Sequence, residues 1–238
     1  MRDLGQMRIG RRALLAGAAA GLAAAGLGAG SRPAAAGAGS KTALTADQAL
    51  AALKDGNARY VSNPQMCAMD LAKRRADLAG HQAPWAVVVG CADSRVPPEL
   101  LFGGLGPGEL FVARNAGNLV DTATMGTVEY GTEHLGAPLV VVLGHAKCGA
   151  VAAACEVATK GARFPGSIGP MVRPIVPVAQ AMRGKPGDLV DNTVRESARR
   201  TARRLATASP ILSRLVRAGK LKIVAARYDL GTGAVEYL

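Results

Sequence analysis

Two short runs in this chain are apolar at every position: Trp85-Ala-Val-Val-Val-Gly90 and Pro138-Leu-Val-Val-Val-Leu-Gly144. A strand with one wet face alternates apolar and polar residues. A run without alternation has to be covered on both sides, and β-branched residues over so short a length favour strand over helix. Leu110-Phe-Val-Ala113 and Lys222-Ile-Val-Ala-Ala226 are shorter runs of the same kind. The stretches between them predict helices over 46–60, about 67–79, 121–135, 148–159, 167–182 and 188–207. Thr45 with Gln48 has the spacing of a capping box at the first of these. Ser209-Pro210 has the form of an N-cap and first helical residue, opening one more helix to Ala218. Gly231-Thr-Gly233 near the end predicts a short antiparallel hairpin or edge strand over 228–238. Strands alternating with helices imply an α/β domain around a mostly parallel sheet.

Composition narrows what such a domain does. Hydrophobic residues make up 49% of the 238 and charged residues 19%, which excludes a disordered chain. Aromatics are 3%, so the core rests on Ala, Val and Leu. Four Cys are too few for a disulfide scaffold. The net charge of +12 permits contact with nucleic acid or membrane. Five of the arginines, Arg195, Arg199, Arg200, Arg203 and Arg204, recur on one predicted helix and imply a solvated face. With few aromatics to stack on bases, no nucleic-acid partner is expected.

The N-terminus reads as an address. Residues 1–12 carry Arg2, Arg8, Arg11 and Arg12 against Asp3, and no charge follows from Ala13 to Gly30. A small-residue stretch then runs to Ala36. This is the order of a secretory signal, and Arg11-Arg12 before Ala13-Leu-Leu15 resembles a twin-arginine signal. Its apolar part is rich in Gly and Ala, too weak for a stable anchor, so no membrane insertion is expected after cleavage. The expected organisation is a signal over 1–36, a linker over 37–44 and a single domain over 45–238. The expected location is the periplasm or beyond, reached through the twin-arginine export machinery.

In parallel α/β sheets, sites form at the carboxyl ends of strands. The first strong run is followed by Cys91-Ala-Asp93-Ser-Arg95 and the second by His145-Ala-Lys-Cys148. Thiolate and imidazole are good zinc ligands, and a carboxylate can complete a tetrahedron. Cys148 opens a predicted helix, whose N-terminal dipole favours thiolate. Two thiolates and a neutral imidazole cancel the charge of Zn²⁺, which makes a bound water a weaker acid than at a three-His site. If Asp93 also binds, the site is closed. Arg95 has the fork to draw that carboxylate off and open the fourth position.

Cys91-Ala-Asp-Ser-Arg95 and His145-Ala-Lys-Cys148 resemble the two zinc motifs of the β-class carbonic anhydrases, and Val112-Ala-Arg-Asn-Ala-Gly-Asn118 resembles the arginine-asparagine segment between them. The similarity runs in order from about Leu44 to the final hairpin. It implies a four- to five-stranded mostly parallel sheet flanked by helices, with one Zn²⁺ per subunit on Cys91, His145 and Cys148. Asp93 is then the fourth ligand in a closed state. With Arg95 as its partner, it orients zinc-bound hydroxide in the open one. The resemblance further implies reversible hydration of CO₂ to bicarbonate and a homodimer or dimer of dimers, with Gly149 as the small residue after the last ligand. Two positions depart from it. Gly106 stands where plant-like members carry a substrate-facing Gln. Val88 stands where bicarbonate-regulated members carry a Trp, although Arg114 and Tyr130 match the other two residues of that inhibitory site. The motifs do not separate CO₂ from carbonyl sulfide or carbon disulfide, nor by themselves an enzyme from a non-catalytic zinc protein. Cys67 and Cys155 match no zinc motif. Cys155 reads as core, His81 and His134 as structural, and Tyr130 as packing.

Overall fold

The computed structural model describes residues 41–63 and 71–238. The expected signal, half of the linker and Cys67 lie outside the described residues. Five strands form one sheet: β1 (Ala86–Cys91), β2 (Leu110–Asn115), β3 (Leu139–His145), β4 (Lys222–Tyr228) and β5 (Val235–Tyr237). Their order is β2-β1-β3-β4-β5. The first four are parallel, and β5 returns antiparallel along β4.

The unbroken apolar runs are explained by what covers them. Odd and even residues of a strand face opposite sides. Val87, Val89, Val140 and Val142 pack with Val128, Leu205 and Leu212 on one side. Val88, Val141 and Leu143 pack with Leu53, Leu101 and Phe102 on the other. Every residue of β1 and β3 is buried. Each valine withdrawn from water contributes about 1.5–3 kcal/mol, so these two strands are the centre of the fold and the firmest base for side chains at their ends.

Helices α1 (Ala46–Ser62) and α3 (Pro98–Leu101) lie on the Leu53 side. α4 (Thr122–Glu129), α8 (Leu189–Ala208) and α9 (Pro210–Arg217) supply Val128, Leu205 and Leu212 on the other. The capping box of α1 is present: Gln48 N–H donates to Thr45 Oγ1 at 3.2 Å, and Thr45 N–H to Gln48 Oε1 at 2.8 Å. Ser209 caps α9, accepting from Leu212 N–H at 3.1 Å. α2 (Leu71–Asp77) is the described part of the helix expected over 67–79.

Three expectations are corrected. The helix expected over 121–135 is α4 followed by a π-helical turn, Tyr130–His134. The helix expected over 167–182 breaks into α6 (Ile168–Val172), a 3₁₀ turn and α7 (Val176–Met182). Pro174 and Pro177 lack the N–H groups that a continuous helix needs there. The arginines of α8 do not share one solvated face. Arg200, Arg203 and Arg204 are exposed and the first two share Glu196, whereas Arg195 is half-buried and pairs with Asp191 at 2.8 Å and Glu236 at 2.7 Å. Arg204 donates to the Val120 carbonyl at 2.9 Å. Among the described residues, no helix is long and apolar enough to cross a membrane.

Candidate metal centre

Cys91 is the last residue of β1 and His145 the last of β3. The two strands are parallel neighbours, so both side chains emerge at the same edge of the sheet. Cys148 is the N-cap of α5 (Gly149–Lys160). The turn that returns it to His145 passes through Lys147 at φ +54°, a left-handed conformation rare for a side-chain-bearing residue. Ala146 N–H donates to the Tyr228 carbonyl of β4 at 2.8 Å, which anchors this turn to the sheet.

Together these elements place the donor atoms of Cys91, His145 and Cys148 within 4.8 Å of one another, all buried. The two Sγ atoms are 4.0 Å apart. Tetrahedral zinc with Zn–S bonds of about 2.3 Å needs roughly 3.8 Å between sulfurs. His145 Nδ1 lies 3.0 Å from the Ala146 carbonyl, which fixes the proton on Nδ1 and leaves a lone pair on Nε2. Nε2 is buried and has no hydrogen-bond partner. A buried imidazole lone pair beside two sulfurs is a costly arrangement for a packed core and the donor set of a zinc site. The residues present therefore fit the ion.

The electrostatics agree. The Cys148 sulfur 4.0 Å away, the neighbouring His145 and the Gly117 N–H that donates to Cys91 Sγ at 3.4 Å together hold the Cys91 thiol well below its ordinary range. Cys148, buried beside Cys91, is pushed up. Asp93 is gripped by Arg95 through Nε to Oδ1 at 2.9 Å, Nη2 to Oδ2 at 2.7 Å and the Arg95 N–H to Oδ1 at 3.0 Å. These bonds hold its carboxyl well below the usual carboxylate range. Asp93 Oδ2 stands 3.8 Å from His145 Nε2. The structure thus places Asp93 with Arg95, at the border of the three-residue cluster.

Other singled-out residues take different places. Val88 is fully buried in the core. Gly106 N–H donates to Glu109 Oε2 at 2.7 Å, closing the loop before β2. Tyr130 packs its ring against Phe111 and His134 and is 41% exposed. With His81 and His134 it lines a separate cleft of about 470 Å³. Cys155 is buried in the core, as expected, and lies 3.6 Å from Thr193 Oγ1. No described protein atom lies within 4 Å of where a Cβ on Gly149 would stand.

Two functional contacts were not read from the sequence. Arg114 forks onto backbone, donating through Nε to the Cys91 carbonyl at 2.8 Å and through Nη2 to the Asp93 carbonyl at 2.6 Å. Asn115 folds loop 115–121 onto itself, exchanging bonds of 2.7 Å with the Leu119 N–H and carbonyl. That loop carries the Gly117 N–H that reaches Cys91. Arg114 was singled out by motif, but its backbone acceptors leave no trace in residue identities.

Comparison with known proteins follows the same lines. The sequence pattern of the carbonic anhydrase family matches residues 86–235. A carbonic anhydrase of Mycolicibacterium smegmatis is 38% identical over 188 residues, covering 79% of this chain and 91% of that protein. Carbonic anhydrase 2 of Mycobacterium tuberculosis is 37% identical over 185 residues, covering 78% and 89%. Among solved structures, a tetrameric β-carbonic anhydrase of Sordaria macrospora superposes with a TM-score of 0.63 at 26% identity, covering 79% of this chain and 95% of that one. A Coccomyxa β-carbonic anhydrase in complex with acetazolamide gives 0.59 at 29% identity, covering 83% and 87%.

Proposed function

Because the chain belongs to the β-class carbonic anhydrase family, we propose that it interconverts CO₂ and bicarbonate at one Zn²⁺ per subunit, held by Cys91, His145 and Cys148. The observation that carries this is the buried, partnerless Nε2 of His145 among two thiols. When bound, zinc supplies Lewis acidity that makes a water nucleophilic near neutral pH. The chain's own residues supply orientation. Arg95 keeps the Asp93 carboxyl ionised and acceptor-only, with Oδ2 turned toward the cluster. That oxygen accepts a hydrogen bond from the attacking water and turns its free lone pair toward the carbon of CO₂. Arg114 fixes the backbone on both sides of Ala92, so the ligand sulfur and the orienting carboxylate keep their separation.

The test is stopped-flow CO₂ hydration between pH 6.5 and 9, with metal content measured on the same sample. Asp93→Ala and Arg95→Ala retain zinc and lose most of the activity. Full activity in both variants refutes the dyad, and absence of zinc from protein purified without chelators refutes the whole proposal. Running carbonyl sulfide and carbon disulfide in the same assay measures substrate preference directly.

The proposal extends to assembly and location. The Sordaria relative is tetrameric, and among the described residues β2 has no strand on its outer edge, where partly buried Leu110, Phe111 and Val112 lie. A homodimer or dimer of dimers follows, measured by light scattering. Export rests on the N-terminal pattern alone. Replacing Arg11 and Arg12 by Lys retains the protein in the cytoplasm if the twin-arginine route is used.

A further inference from the structure

A cavity of about 500 Å³ lies between loop 115–121, the α6–α7 segment and α8, and the proposed hydration reaction makes no use of it. Its two sides differ in chemistry. One wall is apolar: Leu119 and Val120 from the loop, with Met171, Pro174, Pro177 and Val178 from the proline-broken segment. The facing wall is a polar stripe of α8, formed by Ser197, Arg200, Thr201 and Arg204. These stand at i, i+3, i+4 and i+7, so they share one helix face.

The hydroxyls on that stripe are unusual within their own helix. Thr193 and Thr207, which do not line the cavity, return their hydroxyls to helix carbonyls four residues back, at 2.7 and 2.9 Å. Ser197 and Thr201 make no such bond, and no other described group takes them. Ser197 is 6% exposed, yet its hydroxyl opens on the cavity. Its hydroxyl is therefore free to bond a group that enters the cavity.

Charge narrows the partner. Arg204 uses Nη1 on the Val120 carbonyl, and Arg200 uses Nε on Glu196, which leaves each guanidinium with N–H groups to spare. Among the described residues, Asp121 is the one carboxylate in the lining. It caps α4 by accepting from Thr124 N–H at 2.8 Å. With Glu196 and the two arginines that share it counted in, Arg200, Arg203 and Arg204 face Asp121 and Glu196, and the one positive charge left over suits a single negative charge and disfavours a polyanion. Apolar walls with a few convergent polar groups are the usual form of a small-molecule site, and the volume is within the usual range.

We propose that this cavity binds a small amphipathic monocarboxylate, with its oxyanion on the Ser197–Thr201–Arg204 stripe and its hydrocarbon against Met171, Pro174 and Pro177. The assignment stands independently of the hydration proposal. It is tested by calorimetric titration of the zinc-loaded full chain with octanoate, 1-octanol and acetate. Octanoate binds one per chain, and the alcohol and acetate bind at least tenfold more weakly, since each lacks one half of the match. Arg204→Gln and Thr201→Val each weaken octanoate at least tenfold and leave CO₂ hydration within twofold of the parent.

Absence of octanoate binding overturns the proposal. So does octanoate binding unchanged in both variants, which would place the carboxylate at the metal centre. Equal affinity for octanoate and octanol overturns the oxyanion half of the match and with it the ligand class.

Discussion

Removing the Arg114 side chain isolates one contribution to the site, because its hydrogen bonds go to main-chain carbonyls and to no ligand atom. In Arg114→Ala, the carbonyls of Cys91 and Asp93 lose donors now at 2.8 and 2.6 Å. Hydrogen bonds from a charged donor contribute about 1.5–3 kcal/mol each where water is excluded. Arg114 is exposed, so water competes for both acceptors, and the pair is discounted to about 1–2 kcal/mol in total. That is a factor of about 5–30 in the population of the ordered Cys91-Ala92-Asp93 corner, and the same factor in kcat/KM if the corner sets the reacting geometry. The cost to the fold is no greater, a few degrees in Tm for a chain of this size.

The assay is stopped-flow hydration with zinc counted on the same sample, and the fall is expected in kcat with zinc still at one per chain. Arg114→Lys carries the charge without the fork and gives an intermediate rate. Millimolar methylguanidinium restores part of the Ala variant's rate and none of the parent's. Wild-type kcat/KM in Arg114→Ala refutes the reasoning. Loss of zinc in step with activity refutes it equally, since that makes the residue a support for the ligands and not for the geometry between ligand and carboxylate.

Gly56 of α1 touches the Phe102 carbonyl so closely that a Cβ there would lie 2.0 Å from the oxygen, which is backbone and cannot swing away. Gly56→Ala therefore lowers stability by about 1–3 kcal/mol in denaturant titration, despite the helix propensity gained, and a stabilised variant would contradict the packing. Asp229 is lowered to about 2 by N–H donation from Thr232, then by Arg227 and Gly231. A carboxyl lowered in the folded state contributes stability that is full above its unfolded value near 4 and is lost as pH falls through about 2. Asp229→Asn is accordingly less stable than the parent at pH 6, and the two converge below pH 2; parallel curves at all pH values would exclude this linkage. Chelation of the metal leaves His145 Nε2 buried without a partner, and an ion that binds only the folded state stabilises it. Tm falls by several degrees in chelator and is restored by one equivalent of zinc, and an unchanged Tm argues against a zinc site.

What the sequence made legible is what depends on each residue's own chemistry and its near neighbours. β1 and β3 were readable because a strand covered on both faces has no polar position to hide. The Cys91–His145–Cys148 cluster was readable because two of its members end those strands and the third follows three residues on. The caps at Thr45 and Ser209 depend on contacts three residues away and were readable for the same reason. What was not legible depends on acceptors contributed from elsewhere in the fold. Five arginines on α8 read alike by spacing, yet Arg195 meets Glu236, 41 residues on, and Arg204 meets the carbonyl of Val120, 84 residues back. Gly56 carries no sign in the sequence of the Phe102 carbonyl that fills the space a Cβ would need. Arg114 carries the sharpest form of this limit. The motif fixed its identity, and resemblance attached it to an anion site whose Trp is here Val88. Its guanidinium instead holds two carbonyls of the strand end beside it, a use that needs no particular side chain at either acceptor. A motif arginine can therefore keep its place in the pattern while serving the backbone, and only the donor–acceptor geometry distinguishes the two uses.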